Sequence, residues 1–263
     1  MTVRDFPAFK SFRSVALLSA REMFRSRFTA GVILLTFALV LGLFAALDLL
    51  FGAGGPGPGA LLYSNFGVIA AMGAMSIAFP GTAVLLVQYR ELGTLRLLAA
   101  TPVTRIVFII GQLPARAGLA VAELLILLGV MFFGGTSSFV SYATVLLAGI
   151  LGFIMLMSLG ILLGARGANT ELTRQLSLLL PIVVIFTSGA GLPLSSFPGW
   201  VQDGIQFLPT TWYMAAVNNW FVPDPHLIPH LVGLAGVAVA VTAVTTSVFD
   251  WGEERRHTRR GRS

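Results

Sequence analysis

Cysteine is absent from this sequence of 263 residues, and lysine occurs only once, as Lys10. The absence of cysteine excludes disulfides, thiolate metal sites and cysteine nucleophiles. A phosphate-binding loop of the G-x-x-x-x-G-K-[ST] type places its lysine directly after a glycine. No glycine precedes Lys10, so the sequence excludes a standard nucleotide-binding loop of this type.

Charged residues are scarce as well. They make up 11% of the chain, whereas hydrophobic residues make up 56%, and a soluble domain carries about 25% charged residues. The apolar residues occur in blocks of about 20, the length that spans a bilayer as a helix. We therefore predict one all-α membrane domain over residues 1–263. Its six transmembrane helices are expected at roughly 30–51, 63–87, 107–133, 139–164, 176–192 and 227–249.

The basic residues predict the orientation of these helices. Sixteen of the 17 lie before the first block, between the second and third, between the fourth and fifth, or after the sixth. Cytoplasmic loops carry an excess of Lys and Arg, so both termini are predicted in the cytoplasm. Residues 1–29 would form a cytoplasmic interfacial helix and residues 250–263 a basic cytoplasmic tail. The bias toward arginine indicates a bacterial source and hence the plasma membrane.

The predicted outer connection at 193–226 is unusual. It contains five prolines and few charges, and it mixes apolar with aromatic residues. This composition favours short broken helices that dip into the outer leaflet as a re-entrant hairpin, because irregular backbone is tolerated in a membrane only where protein surrounds it.

Three polar residues lie on one face of the third span: Gln112, Arg116 and Glu123, at spacings of four and seven. If the helix enters lipid at Ile106, Arg116 lies about 15 Å deep; if the helix begins in the cytoplasm, only Glu123 is deeply buried. A direct pair is not expected, since Arg116 and Glu123 are about 10 Å apart along the axis. We interpret the three as a structural polar network rather than a substrate contact.

Two small patterns receive simple interpretations. Gly160 and Gly164 form a G-x-x-x-G pair, which allows close helix approach; packing within the chain is expected, with a dimer contact as the alternative. His226 and His230 are four residues apart, and we interpret them as interfacial polar residues rather than metal ligands. No metal site is predicted.

The most informative segment is the predicted cytoplasmic connection between the second and third spans. Its spacing E-x-G-T-L-x-x-L-x-x-T-P begins at Glu91 and ends at Pro102, where proline disfavours further helix. An interfacial helix that only anchors the bundle is one interpretation. The spacing also resembles the signature of ABC-2 type permeases. That resemblance implies a coupling helix over 91–102 that docks on a separate ATP-binding subunit through Glu91, Gly93, Thr94, Leu95, Leu98, Thr101 and Pro102.

A second segment supports the same resemblance. This segment contains Ser188-Gly189, Leu192-Pro193-Leu194, Phe197-Pro198-Gly199-Trp200-Val201-Gln202 and Leu208-Pro209-Thr210. It is similar to the outer segment of that family, with a small departure because Thr210 and Thr211 follow Pro209 where the family has an L-P-L-T-like turn. The length and the T-P-V-x-R ending resemble the daunorubicin-resistance type. The implied fold is that of a type V exporter-like permease, with six spans, a coupling helix and an outer re-entrant hairpin.

The resemblance also implies a function. The chain would be a non-enzymatic exporter subunit paired with a second copy or a sister permease, while two ATP-binding subunits bind ATP and Mg. Its other contacts would be membrane lipids, not nucleic acid. A hydrophobic or amphipathic small molecule is the expected cargo; a polysaccharide or glycolipid exporter, and an ATPase-independent channel or enzyme, are the alternatives. In the family, spans two and five line the cavity, which makes the candidates for the pathway Met72, Met75, Phe79, Phe186 and Thr187.

Overall fold

The computed structural model describes residues 27–51, 59–94, 105–135, 138–167, 169–187 and 197–248, and these contain helices and connecting turns but no strand. A π-helical segment at Phe79–Ala83 joins α3 to α4. The all-α prediction is confirmed for this part of the chain. The helices are α1 (Arg27–Phe51), α2 (Ala60–Ser64), α3 (Phe66–Ala78), α4 (Val84–Glu91), α5 (Arg105–Phe133), α6 (Phe139–Arg166), α7 (Thr170–Thr187), α8 (Gly199–Gln206), α9 (Pro209–Asn218) and α10 (Leu227–Val248).

Five helical stretches in the described residues are long and apolar enough to cross a membrane. They agree with five of the six predicted blocks to within a few residues, so the chain is a multi-pass membrane protein. The predicted fifth block, 176–192, falls partly on α7, and its residues 188–192 lie outside the described part. A sixth span therefore stays a prediction. The five stretches are Ala30–Phe51, Phe66–Glu91, Leu113–Phe133, Phe139–Arg166 and Leu227–Ser247.

The predicted terminal segments cannot be compared in the same way. Of the cytoplasmic segment 1–29, residues 1–26 lie outside the described residues and 27–29 belong to α1. The predicted tail, 250–263, also lies outside them.

The helix formed by α3, the π-helical segment and α4 is the most buried of the five stretches. Helix α6 packs against it through two glycines. A Cβ added at Gly160 would collide with the carbonyl oxygen of Ala78, and one at Gly164 would lie 2.9 Å from the carbonyl oxygen of Ala83. Small residues permit such close backbone approach. The packing of this glycine pair within the chain, which we expected from the sequence, is therefore confirmed.

Pro80 gives a physical reason for the π-helical segment. Proline has no backbone N–H and its ring clashes with the carbonyl of the residue four positions earlier, and a wider turn relieves that clash. The hydroxyl of Thr82 donates to the carbonyl oxygen of Ile77 at 2.9 Å, five residues back. The widened turn also places the Thr82 hydroxyl and the Gly81 carbonyl next to α5, where both accept hydrogen bonds from Arg116, as described below.

Polar side chains join the helices at the end of the bundle opposite Glu91. The Asp48 carboxylate accepts hydrogen bonds from the backbone N–H of Gly59 (2.5 Å) and of Leu61 (2.8 Å), which holds α2 against α1. The side chain of Asn218 accepts from the N–H of Gly67 and donates to the carbonyl of Ser64. These bonds attach the end of α9 to the start of α3.

The proline-rich connection contains two short helices, α8 and α9, as its composition predicts. Helix α9 packs against α3, α6 and α10. Its Tyr213, Met214, Ala216 and Val217 are buried. Protein therefore surrounds α9, which is the condition that irregular backbone needs at membrane depth. A re-entrant position in the outer leaflet stays a prediction.

Candidate functional site

We call the helix formed by α3, the π-helical segment and α4 the central helix. The family-like segment, residues 91–102, begins where this helix ends. Glu91 is the last residue of α4, and the chain turns at Leu92 and Gly93. Gly93 adopts a φ of 73°, and its N–H donates to the Arg90 carbonyl at 3.1 Å. Glycine is the residue that terminates helices in this left-handed conformation. The expectation that Glu91 starts a short separate helix is therefore wrong, because the longer preceding helix includes it.

The Glu91 carboxylate is directed at the neighbouring helix. Its Oε1 accepts the backbone N–H of Thr170 at 2.8 Å, and its Oε2 accepts the Thr170 hydroxyl at 2.6 Å. Thr170 is the first residue of α7. The first N–H groups of a helix have no partner within it, and a carboxylate there also favours the helix dipole. Glu91 thus caps α7 from another segment of the chain.

Arg90 binds the opposite side of the same connection. Its guanidinium donates to the carbonyl oxygens of Gly164 (3.1 Å), Ala165 (2.5 Å) and Gly167 (3.1 Å). These carbonyls lie at the C-terminal end of α6, where acceptors are unpaired and a cation is favourable. We call Arg90 and Glu91 together the charge clip. It binds the end of α6 with its positive member and the start of α7 with its negative member.

A groove of about 480 Å³ lies beside the clip, between α1, the central helix and α7. Its walls are mainly apolar, with Thr36, Ser76, Gln88, Arg174 and Ser177 as polar residues. Such a volume lies within the range of about 300–1,000 Å³ that is usual for small-molecule sites. Helix α7 thus takes part both in this groove and in the contact with the clip.

The predicted pathway residues do not all reach this groove. Met72 lines it. Met75 and Phe79 are buried in the core and do not line it. Phe186 is half exposed on α7, and the side chain of Thr187 lies outside the described residues. Of the predicted coupling residues, Leu95, Leu98, Thr101 and Pro102 also lie outside them.

The polar residues of the third span separate into two environments. Arg116 is buried; its Nε donates to the Thr82 hydroxyl at 2.7 Å and its Nη2 to the Gly81 carbonyl at 3.2 Å. Arg116 therefore binds the π-helical segment. Which of the two placements considered above applies to Arg116 stays a prediction, because the side chains of α5 before Gly111 lie outside the described residues. The side chain of Gln112 lies outside the described residues.

Glu123 lies near the middle of the apolar stretch Leu113–Phe133, and only 4% of its surface is exposed. Its Oε1 is buried and has no hydrogen-bond partner among the described residues. The carboxyl borders a cavity of about 200 Å³ between α3, α5, α6 and α9. Its position differs from that of Arg116, whose described bonds all lie on the π-helical segment.

Sequence reasoning missed the partners of these groups. Thr170 has no motif of its own, although Asn169 before it is a recognisable helix-capping residue, whose Oδ1 accepts the N–H of Leu172 at 2.7 Å. The Pro80-Gly81 pair inside a predicted span is the signal that could have indicated a distorted turn. His230 Nδ1 lies 2.6 Å from Asp224 Oδ2, in agreement with a polar interfacial position.

Comparison with known proteins gives one family and a drug-resistance relative. Residues 13–221 match the family model of the ABC-2 type transporter. The chain is 28% identical over 197 residues to the probable doxorubicin resistance ABC transporter permease protein DrrC of Mycobacterium tuberculosis, in strains CDC 1551 / Oshkosh and ATCC 25618 / H37Rv. The matched region covers 71% of this chain and 69% of the relative.

Proposed function

The chain belongs to the ABC-2 type transporter family, and from this premise we propose that it is the membrane-spanning permease subunit of an ATP-driven exporter. Both termini lie in the cytoplasm, as the distribution of basic residues predicts. The permease pairs with a second copy or a sister permease. Two ATP-binding subunits bind ATP and Mg, because the sequence excludes a standard phosphate-binding loop around Lys10.

The observation that carries the proposal is the contact between the charge clip and α7. The clip immediately precedes the segment with the family spacing, and Glu91 is bonded to the first residue of α7. A displacement of that segment by the ATP-binding subunit therefore acts directly on α7. Since α7 forms one wall of the 480 Å³ groove, the displacement changes the groove. Nucleotide binding energy then favours one of two conformations of the permease, as alternating access requires.

The residues that line the groove also favour one class of cargo. Most of its lining is aliphatic, and its five polar residues come from all three helices that form the groove. Sites of this kind bind small molecules through apolar burial and orient them through a few hydrogen bonds. We therefore propose a hydrophobic or amphipathic small molecule as cargo. Because the relative is named for doxorubicin resistance, doxorubicin is a suitable probe.

The proposal is tested by purifying the full chain from its own cells in mild detergent. We expect a co-purifying polypeptide with a phosphate-binding loop, ATP hydrolysis by the complex, and lower doxorubicin accumulation in cells that express both. ATP hydrolysis by the chain alone, freed of all partners, would overturn the proposal.

One double variant separates docking from folding. Replacing Leu95 and Leu98 together by Asp removes the apolar anchor expected of a small docking helix, since a few buried groups dominate an interface. Membrane abundance should stay normal while the ATPase dissociates and drug efflux falls. Unchanged efflux at normal abundance would show that the segment does not couple the two subunits.

A further inference from the structure

The cavity beside Glu123 differs from the groove in position and in chemistry. Val121 and Ile150 line it and are 54% and 47% exposed, so its mouth lies where α5 and α6 face away from the protein. Both helices contain apolar stretches of spanning length. In a bilayer this mouth opens to the hydrocarbon core, and a ligand would enter from the lipid rather than from water.

The interior of the cavity combines apolar walls with one carboxyl group. Among the described residues that line it, alanine and larger aliphatic side chains predominate, with Phe153 and Tyr213 as the aromatic members. Glu123 is the acidic residue of the set, and the part of the chain that the structure describes offers its Oε1 no hydrogen-bond partner. A buried polar group without a hydrogen bond is costly, and an ionisable group within a membrane points to function.

Gly73 of α3 makes room for this carboxyl group. A Cβ at position 73 would lie 2.6 Å from Glu123 Oε2 and 2.7 Å from Cδ2 of Phe37. Any side chain at this position would displace either the carboxyl or the phenyl ring. The glycine thus permits Glu123 to lie against α3 at the inner end of the cavity.

We propose that this cavity is a binding site for a hydrophobic amine that enters from the bilayer, with Glu123 as the partner of its ammonium group. An ammonium supplies both the opposite charge and the N–H donors that Glu123 Oε1 lacks. The apolar walls would hold the hydrocarbon part. An apolar cavity of about 150 Å³ is large enough for benzene, so 200 Å³ accommodates one aromatic ring with its amine-bearing carbon.

The test measures binding without transport, and its result does not depend on the proposed exporter function. The full chain is reconstituted in lipid nanodiscs and titrated with radiolabelled benzylamine, and empty nanodiscs give the lipid background. We expect a saturable component with one site per chain. The uncharged analogue benzyl alcohol should compete at least ten-fold more weakly than unlabelled amine.

Three variants identify the site. Glu123→Gln should weaken amine binding at least ten-fold, and Gly73→Ala should weaken it through displacement of the carboxyl. Ala120→Leu keeps the carboxyl but fills the cavity, so it should also abolish saturable binding. Gly118→Ala on the same helix is the matched control, because nothing lies within 4 Å of a Cβ built there. Thermal melting of each variant shows that it is folded.

Each other outcome overturns the proposal. If the wild-type chain shows no saturable binding, the cavity does not bind amines of this size. If amine and alcohol compete equally, Glu123 does not act as an anionic partner. If folded Glu123→Gln and Ala120→Leu both bind like the wild type, the amine binds elsewhere.

Discussion

Glu91 Oε2 accepts a hydrogen bond from the Thr170 hydroxyl at 2.6 Å across 79 residues of sequence, while Glu91 Oε1 accepts the N–H of the same threonine. Arg90 beside it binds carbonyls at the end of α6. The family-like segment therefore leaves the central helix at a point already fixed to two further helices. A force applied after residue 91 is transmitted to α7 through these bonds.

Breaking this contact should uncouple the exporter without unfolding it. We expect Glu91→Ala and Thr170→Val each to lower drug efflux about five-fold or more, the lower range of typical couplings between sites. Thr170→Val removes only the hydroxyl bond, and Glu91→Ala removes that bond together with the one from the Thr170 N–H, so the double variant should be little worse than Glu91→Ala alone. Efflux and membrane abundance are measured in the same cells.

Glu171→Ala is the control for this experiment. It removes a carboxylate from the same turn of α7, where the side chain bonds only locally to Gln175 at 3.2 Å among the described contacts. Its efflux should stay near wild type. Additive losses in the Glu91 and Thr170 pair would mean that the two residues act separately.

The orientation can be tested with the two ends of α6. Ser138 and Asn169 are both exposed and lie beyond opposite ends of this helix. The chain has no cysteine, so Ser138→Cys and Asn169→Cys each provide a unique thiol. In intact cells an impermeant maleimide should label position 138 and should label position 169 only after permeabilisation. The reverse pattern would invert the predicted topology.

The hydropathy of the sequence predicted most of the long helices, because a membrane-spanning helix is recognised from the composition of one continuous stretch of residues. Five predicted blocks agree with helices, and the small-residue pair Gly160 and Gly164 packs as its spacing implies. These features follow from lengths and residue sizes, which can be read along one segment. The family spacing at 91–102 was recognisable for the same reason, since it is local.

The contacts of the site depend on which distant segments meet. Thr170 lies next to Glu91, and Thr82 lies next to Arg116, because separate helices pack together. The periodicity of apolar residues within one helix does not predict such pairs. Met75 and Phe79 are buried in the core, whereas Met72 lines the groove, although the spacing of the three predicts one common face. Of the five predicted pathway residues, Met72 is the one found in the described lining of the groove.

The close contact between α6 and the central helix at Gly160 predicts that glycine-to-alanine substitution changes stability differently at two positions. Gly160→Ala forces a methyl group onto the Ala78 carbonyl, and overpacking of this kind costs about 1–3 kcal/mol. Gly129→Ala on α5 meets open space and should be neutral or slightly stabilising, because alanine favours a helix over glycine. Melting temperatures in detergent compare the two. Equal melting would contradict the close approach.

The bond between Arg116 and the π-helical segment supports the last prediction. Thr82 is fully buried, and its hydroxyl accepts Arg116 Nε at 2.7 Å. Thr82→Val keeps the shape but removes this acceptor, and hydrogen bonds to charged groups contribute about 1.5–3 kcal/mol. We expect a clearly lower melting temperature, whereas Thr82→Ser should retain most of the stability because it keeps the hydroxyl. Thr246→Val is the control, since among the described contacts this exposed hydroxyl bonds within α10, to the Ala243 carbonyl. If Thr82→Val and Thr246→Val melt alike, the stability of the π-helical segment does not depend on the bond to Arg116.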